Sequence, residues 1–93
     1  GDINSALKVE LFQNNPNPFS LDTEITMVLP ESTRQARVVF YSMEGKELKN
    51  IPVHERGNAS IKISSNDLGA GMYLYALIVD GKVVDTKRLI LTK

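Results

Sequence analysis

Apolar residues in this chain recur in short runs with a period of two, and prolines, glycines or Asn/Asp pairs break each run after a few positions. That rhythm builds strands. No stretch carries the 3.6-residue apolar period that a helix needs over at least about ten residues. Residues 23–29 alternate, with Ile25, Met27 and Leu29 on one face and Glu24 and Thr26 on the other, until Pro30 stops them. Residues 36–41 are apolar on both faces, the pattern of a covered or central strand. Ser42-Met43-Glu44-Gly45 reads as a tight turn into a polar edge strand over 46–51, closed by Pro52. Residues 58–64 alternate again, with Ile61 and Ile63 inward.

Residues 73–79 form the most apolar run, and Asp80-Gly81 is the strongest hairpin signal in the chain. It leads into residues 83–92, where the apolar parity changes between Val84 and Leu89 and predicts a bulge near Thr86 or Lys87. Between 66 and 71, side-chain oxygens and two glycines predict a loop. Near the start, Pro16 and Pro18 remove two backbone donors, so neither a helix nor a central strand passes there. That segment should be an extended crossing, pinned by Phe19. The sum is an all-β, Ig-like antiparallel sandwich of six to seven strands over residues 9–93, preceded by a polar linker over 1–8.

Ninety-three residues make one domain with a modest core, and six aromatic residues without tryptophan leave most of that core to aliphatics. Eleven basic and eleven acidic residues cancel. A neutral chain has no field to hold it on a nucleic-acid backbone or an anionic membrane. The absence of cysteine excludes disulfides, thiolate metal sites and a cysteine nucleophile, and leaves the compartment open. The first residue is Gly1 rather than Met, which reads as a processed piece of a longer parent.

Reactive chemistry finds little support. His54 is the only histidine, with Glu55 its only close acidic neighbour, and a solvated loop residue outweighs a metal ligand. Asp67, Asp80 and Asp85 are too dispersed for a calcium loop. No serine sits in a Gly-x-Ser-x-Gly elbow, and Gly69-Ala70-Gly71 lacks the lysine and helix start of a phosphate cradle. Tyr73 and Tyr75 could stack on a sugar, but on the most apolar strand they read first as core. Lys87-Arg88 reads as a solvated stretch that blunts a strand edge. The expectation is no enzyme, no cofactor, no metal and no small-molecule substrate.

Five motifs, in order, resemble the C-terminal sorting domain of the type IX secretion system of Bacteroidetes, also called the Por secretion tail. They are the opening from Leu11 through Asn15, Pro16, Asn17, Pro18 and Phe19; Thr23-Glu24-Ile25 with Leu29-Pro30; the strand and turn from Val39 to Gly45-Lys46; Asp67 to Gly71 with Tyr73 and Tyr75; and Asp80-Gly81-Lys82 with the basic-apolar stretch Lys87, Arg88, Leu89, Ile90, Leu91. The resemblance spans about residues 9–93.

It implies a parent that passes the periplasm and reaches the cell surface or the medium. The domain would be recognised by an outer-membrane translocon, with contact expected at Lys87, Arg88, Leu89, Ile90, Leu91 and Lys93. A sortase-like peptidase would then cut near Ser5, Ala6, Leu7 and Lys8, often leaving the cargo attached to a surface lipopolysaccharide. Asn15, Pro16, Asn17, Pro18, Phe19, Gly45, Gly71, Tyr73, Asp80 and Gly81 would serve the fold. The alternative is an Ig-like adhesive or spacer module of a surface or fibre-like protein, binding glycan or protein, with weak self-association through strand edges.

Overall fold

A computed structural model describes residues 8–92. Seven strands form: β1 (Glu10–Leu11), β2 (Asp22–Leu29), β3 (Ala36–Ser42), β4 (Glu47–Pro52), β5 (Gly57–Ser64), β6 (Gly71–Val79) and β7 (Lys82–Leu91). They make two antiparallel sheets, a three-stranded one in the order β1-β2-β5 and a four-stranded one in the order β4-β3-β6-β7. The chain changes sheet between β2 and β3, β4 and β5, and β5 and β6, so neither sheet forms without the other.

Alternation fixes which residues meet between the sheets. From the first come Leu11, Ile25, Met27, Leu29, Ala59 and Ile63; from the second, Val38, Phe40, Tyr75, Leu77, Leu89 and Leu91. Phe40 and Tyr75 are register partners on β3 and β6, with ring centroids 5.9 Å apart and planes tilted by 33°. Burying each such side chain contributes roughly 1.5–3 kcal/mol, which makes this layer the main source of stability. The expected central strand 36–41 is indeed β3, flanked by β4 and β6. The expected polar edge strand is β4.

Two details differ from the sequence reading. The β6–β7 register shifts between Leu77 and Ile78, facing Asp85 and Val83, so the extra residue is Val84 and not Thr86 or Lys87. The parity change seen in the sequence is real, but charged residues at 85–88 blurred its position: Asp85 and Lys87 lie on the inward parity at an open edge, where they pair with each other at 3.5 Å. Secondly, the stretch before the prolines contains a short strand, β1, paired with β2 through Glu10↔Val28 and Leu11↔Met27.

The β6–β7 turn does more than reverse the chain. Asp80 (φ 49°) and Gly81 (φ 83°) both take left-handed geometry, as a two-residue hairpin of this twist requires. The Asp80 carboxylate then accepts the N–H groups of Arg34 (2.9 Å) and Gln35 (2.8 Å), and its own N–H donates to the Gln35 carbonyl. One turn residue therefore also fixes the sheet-to-sheet crossing before β3. Replacing Asp80 with Ala should lower stability by about 1–2 kcal/mol, and Gly81→Ala by about 1–2 kcal/mol through left-handed strain. Urea melts check both; an Asp80→Ala midpoint equal to wild type would show that the clamp is idle.

Candidate functional site

Residues 13–19, the greater part of the opening motif, form a strap that binds three strands together. Its hub is Tyr75, whose ring is fully buried. The Tyr75 hydroxyl accepts from the Asn14 N–H at 2.8 Å and donates to the Phe12 carbonyl at 2.9 Å. Buried Asn14 spends its side-chain amide on the Thr23 hydroxyl and the Pro16 carbonyl, both at 3.1 Å, and Thr23 donates to the same carbonyl at 2.7 Å. Asn15 exchanges backbone bonds with Glu24 of β2. Among the described residues no buried side-chain polar atom lacks a partner, so the hub is satisfied throughout.

The far side of the strap closes the edge of β7. Phe19 N–H donates to the Ile90 carbonyl (3.0 Å) and Thr92 N–H to the Phe19 carbonyl (2.8 Å). The Asn17 side-chain oxygen accepts from the Ile90 N–H at 2.9 Å, and the Gln13 amide reaches the Arg88 carbonyl. Between these contacts the Phe19 ring enters the core at 2% exposure. The prolines fit this role because the strap must turn twice while presenting few donors of its own. Both Asn-Pro bonds, at Pro16 and Pro18, are cis.

The expected contact residues divide sharply. Leu89 and Leu91 are core, at 0% and 2% exposure, and no partner reaches them in the folded domain. Arg88 is exposed and Ile90 half-buried on the outward parity; Lys87 is half-buried beside Asp85. Lys93, and Ser5, Ala6 and Leu7 of the expected processing stretch, lie outside the described residues, whereas Lys8 is described and exposed. Gly45 (φ 92°) completes the β3–β4 turn, where its N–H reaches the Ser42 carbonyl. The Tyr73 hydroxyl donates to the Gly69 carbonyl, and the side chain lies over Gly71, where an added Cβ would meet the hydroxyl oxygen at 3.7 Å and the ring at 3.9 Å.

The sequence places Gln13, Asn14 and Thr23 in the motifs and the Tyr75 hydroxyl at the rim of the core, without indicating that they bond one another. One signal was present: Thr23 shares parity with Ile25 and Met27, and a polar residue on the inward face needs a partner.

Elsewhere, a hollow of about 300 Å³ lies at the start of β3, with Arg34, Arg37, His54 and Arg56 in its lining. The Arg56 guanidinium is spent on the carbonyls of Thr33, Arg34, Val53 and Glu55. His54 is exposed, and no group of three His, Cys, Asp or Glu residues gathers among the described residues.

A sandwich whose opening segment is bonded along its last strand is a closed two-sheet domain. Residues 15–92 match the family described as the secretion system C-terminal sorting domain. The chain belongs to that family and is a C-terminal sorting signal for type IX secretion; the adhesive or spacer alternative is not favoured. It acts with the type IX machinery toward the cell surface or extracellular space, and its family is one of sorting signals rather than catalysts. Curated proteins give no match. Among solved structures, a Klebsiella pneumoniae pullulanase complexed with maltotriose shares the fold, with a TM-score of 0.50 and 20% identity over 83% of this chain. The chain spans 8% of that protein's length, and the likeness concerns architecture alone.

Burial pushes the Tyr75 hydroxyl up from 10.0 to about 12, with the Asn14 N–H working against the rise and the Asp85 charge adding to it. Tyr75→Phe should cost about 1–3 kcal/mol, because it strands the Asn14 N–H and the Phe12 carbonyl. The folded-state value lies above the unfolded one, so this contribution is complete below pH 10 and is lost as pH rises toward 12. Denaturant titrations should therefore show wild type losing about 2–3 kcal/mol across that window relative to Tyr75→Phe. Parallel pH curves for the two proteins would contradict the buried, bonded hydroxyl.

Proposed function

We propose that the folded sandwich is read as a whole by the outer-membrane translocon, after the parent has crossed the periplasm. On this reading the domain is a handle. It makes and breaks no bond itself. A sortase-like peptidase cuts the chain ahead of the sandwich, near Ser5, Ala6, Leu7 and Lys8, and the freed cargo goes to the surface, in some cases onto lipopolysaccharide. The domain is the peptidase's substrate.

The observation that carries the reading is the strap. The opening motif and the terminal strand are 73 residues apart in sequence, yet the Asn17 side chain bonds the Ile90 N–H, and Phe19 and Thr92 complete the ladder. Motif residues far apart in the chain form one object only when the domain is folded, which favours recognition of a shape over recognition of a peptide. It also supports a narrower contact at the terminal strand. With the backbone edge at 88–92 occupied by the strap and Leu89 and Leu91 in the core, contact falls to the Arg88 and Ile90 side chains.

A reporter ending in residues 1–93 should leave cells that carry the machinery and stay inside cells that lack it. Leu77→Asp puts a charge at a site with 0% exposure, which should unfold the domain and strand the reporter in the periplasm. Unimpaired export of that variant would mean that a linear segment is read, and the folded-handle reading would fall.

A further inference from the structure

The outward side of the four-stranded sheet is apolar where a solvent-facing sheet should be polar. Register places its residues in cross-strand rows. Met72 faces Ile90; Tyr41 faces Leu74, which faces Arg88; Val39 faces Ala76, which faces Thr86; Arg37 faces Ile78, which faces Val83. Val39 and Ala76 are only 1% and 3% exposed yet take no part in the inter-sheet core, so they floor a second apolar layer on the outside. Above them Met72 and Val83 are 42% and 61% exposed, with Tyr41, Leu74, Ile78 and Ile90 half-buried.

At strand spacing this layer covers roughly 15 by 20 Å, on the order of 300 Å². A footprint of that size is what the largest apolar patch of an ordinary monomer occupies, and such patches are often functional.

Charge narrows the occupant. Arg37 and Arg88 are exposed at opposite ends of the face, and neither forms an ion pair among the described residues. Arg34 adds a further positive charge beside Arg37 at the hollow. The only carboxylate paired into these rows is Glu47, opposite Tyr41 at the β4 edge. A second copy of the chain fits poorly. Like faces would bring arginines together, and the opposite face, with Asp22, Glu24 and Lys62 outward, is largely charged and polar, with Phe12 and Val28 its apolar residues. The patch also falls well short of the ~800 Å² per partner that a stable dimer needs. A membrane fits no better, since anionic lipid recognition rests on clusters of about 4–8 basic residues.

We infer that the outer face of the four-stranded sheet is the docking surface of the sorting domain, and that its partner is a protein presenting an apolar strip between carboxylates. This rests on the sorting reading above and names the surface it uses. Arg88 and Ile90 are the part of this face that the terminal strand contributes. Tyr41, Leu74, Met72 and Ile78 extend it, and Arg37 supplies the second charged contact.

The test uses the reporter carrying the full 93-residue chain, in cells with the machinery, with each variant first shown by thermal melting to be folded. Arg37→Glu, Arg88→Glu, Met72→Lys and Leu74→Ser should each reduce export roughly tenfold. Arg37→Lys and Arg88→Lys should retain most of it, as should Glu24→Lys and Lys62→Glu on the opposite face. Should the wild-type reporter stay in the periplasm, the sorting reading itself fails. Should wild type be exported and the folded face variants leave as efficiently as Lys62→Glu, the docking surface is wrong while the sorting reading stands. Two measurements on the purified chain separate the other occupants. A dimer in sedimentation abolished by Leu74→Ser, or binding to phosphatidylglycerol vesicles abolished by Arg37→Glu, would overturn the protein partner.

Discussion

The Tyr75 hydroxyl is the joint on which the closed form of this sandwich depends. It sits in the core yet bonds only backbone, accepting from Asn14 and donating to Phe12, and so holds the strap at the height where Phe19 can enter the core. A phenol suits this position because its ring packs beside Phe40 while its single oxygen satisfies one donor and one acceptor at once. A phenylalanine would fill the same space and leave the buried Asn14 N–H and the partly buried Phe12 carbonyl unpaired. Net hydrogen bonds are worth about 1 kcal/mol, but unmade ones cost more, and that asymmetry makes one oxygen decisive.

The strap also settles how the sandwich manages its edges. An open edge invites another strand, and natural proteins blunt such edges with charges, bulges, prolines or covering segments. On β7 three of these devices occur together: the strap covers residues 88–92, Val84 is the extra residue of the bulge, and Asp85 and Lys87 place a charge pair on the inward parity. The β4 edge ends on Pro52, and β5 exposes Asn58, Ser60 and Lys62. With its edges defended, the molecule offers side chains on a face. A recogniser that must accept many cargoes and reject unfolded chains gains from this, because a face composed across four strands exists only in the folded domain.

Much of the strand layout was legible because period-two patterning is a local property. Ile25, Met27 and Leu29 announce β2, the two-sided apolar run announces the central β3, and Asp80-Gly81 announces its hairpin with the turn geometry found. What escaped was set by contacts across long stretches of chain. Asn14 and Tyr75 are 61 residues apart, and nothing beside either says that they meet. β1 escaped because two residues are too few to show a period. Leu89 and Leu91 were grouped with Arg88 and Ile90 as one contact stretch, although alternation alone sends them to opposite faces; the resemblance grouped by sequence what the pleat divides.

Among the described residues, the outer apolar layer departs from the polar-out rule across several strands at once, where Phe12 and Leu21 are exposed singly. Departures of that kind in an otherwise consistent sequence tend to mark function. The layer is restrained in ways that fit a surface kept for a partner. Its floor is Val39 and small Ala76, so the larger side chains around them lie half-sheltered, and Arg37 and Arg88 interrupt it at either end. A face built only for stability would gain from polar residues here, since Thr or Lys on the solvent side of a strand costs little and opposes association. Keeping Leu74, Ile78 and Met72 half-exposed instead sustains a liability in every folded copy. That liability is offset if the face is buried once, against a partner, during export.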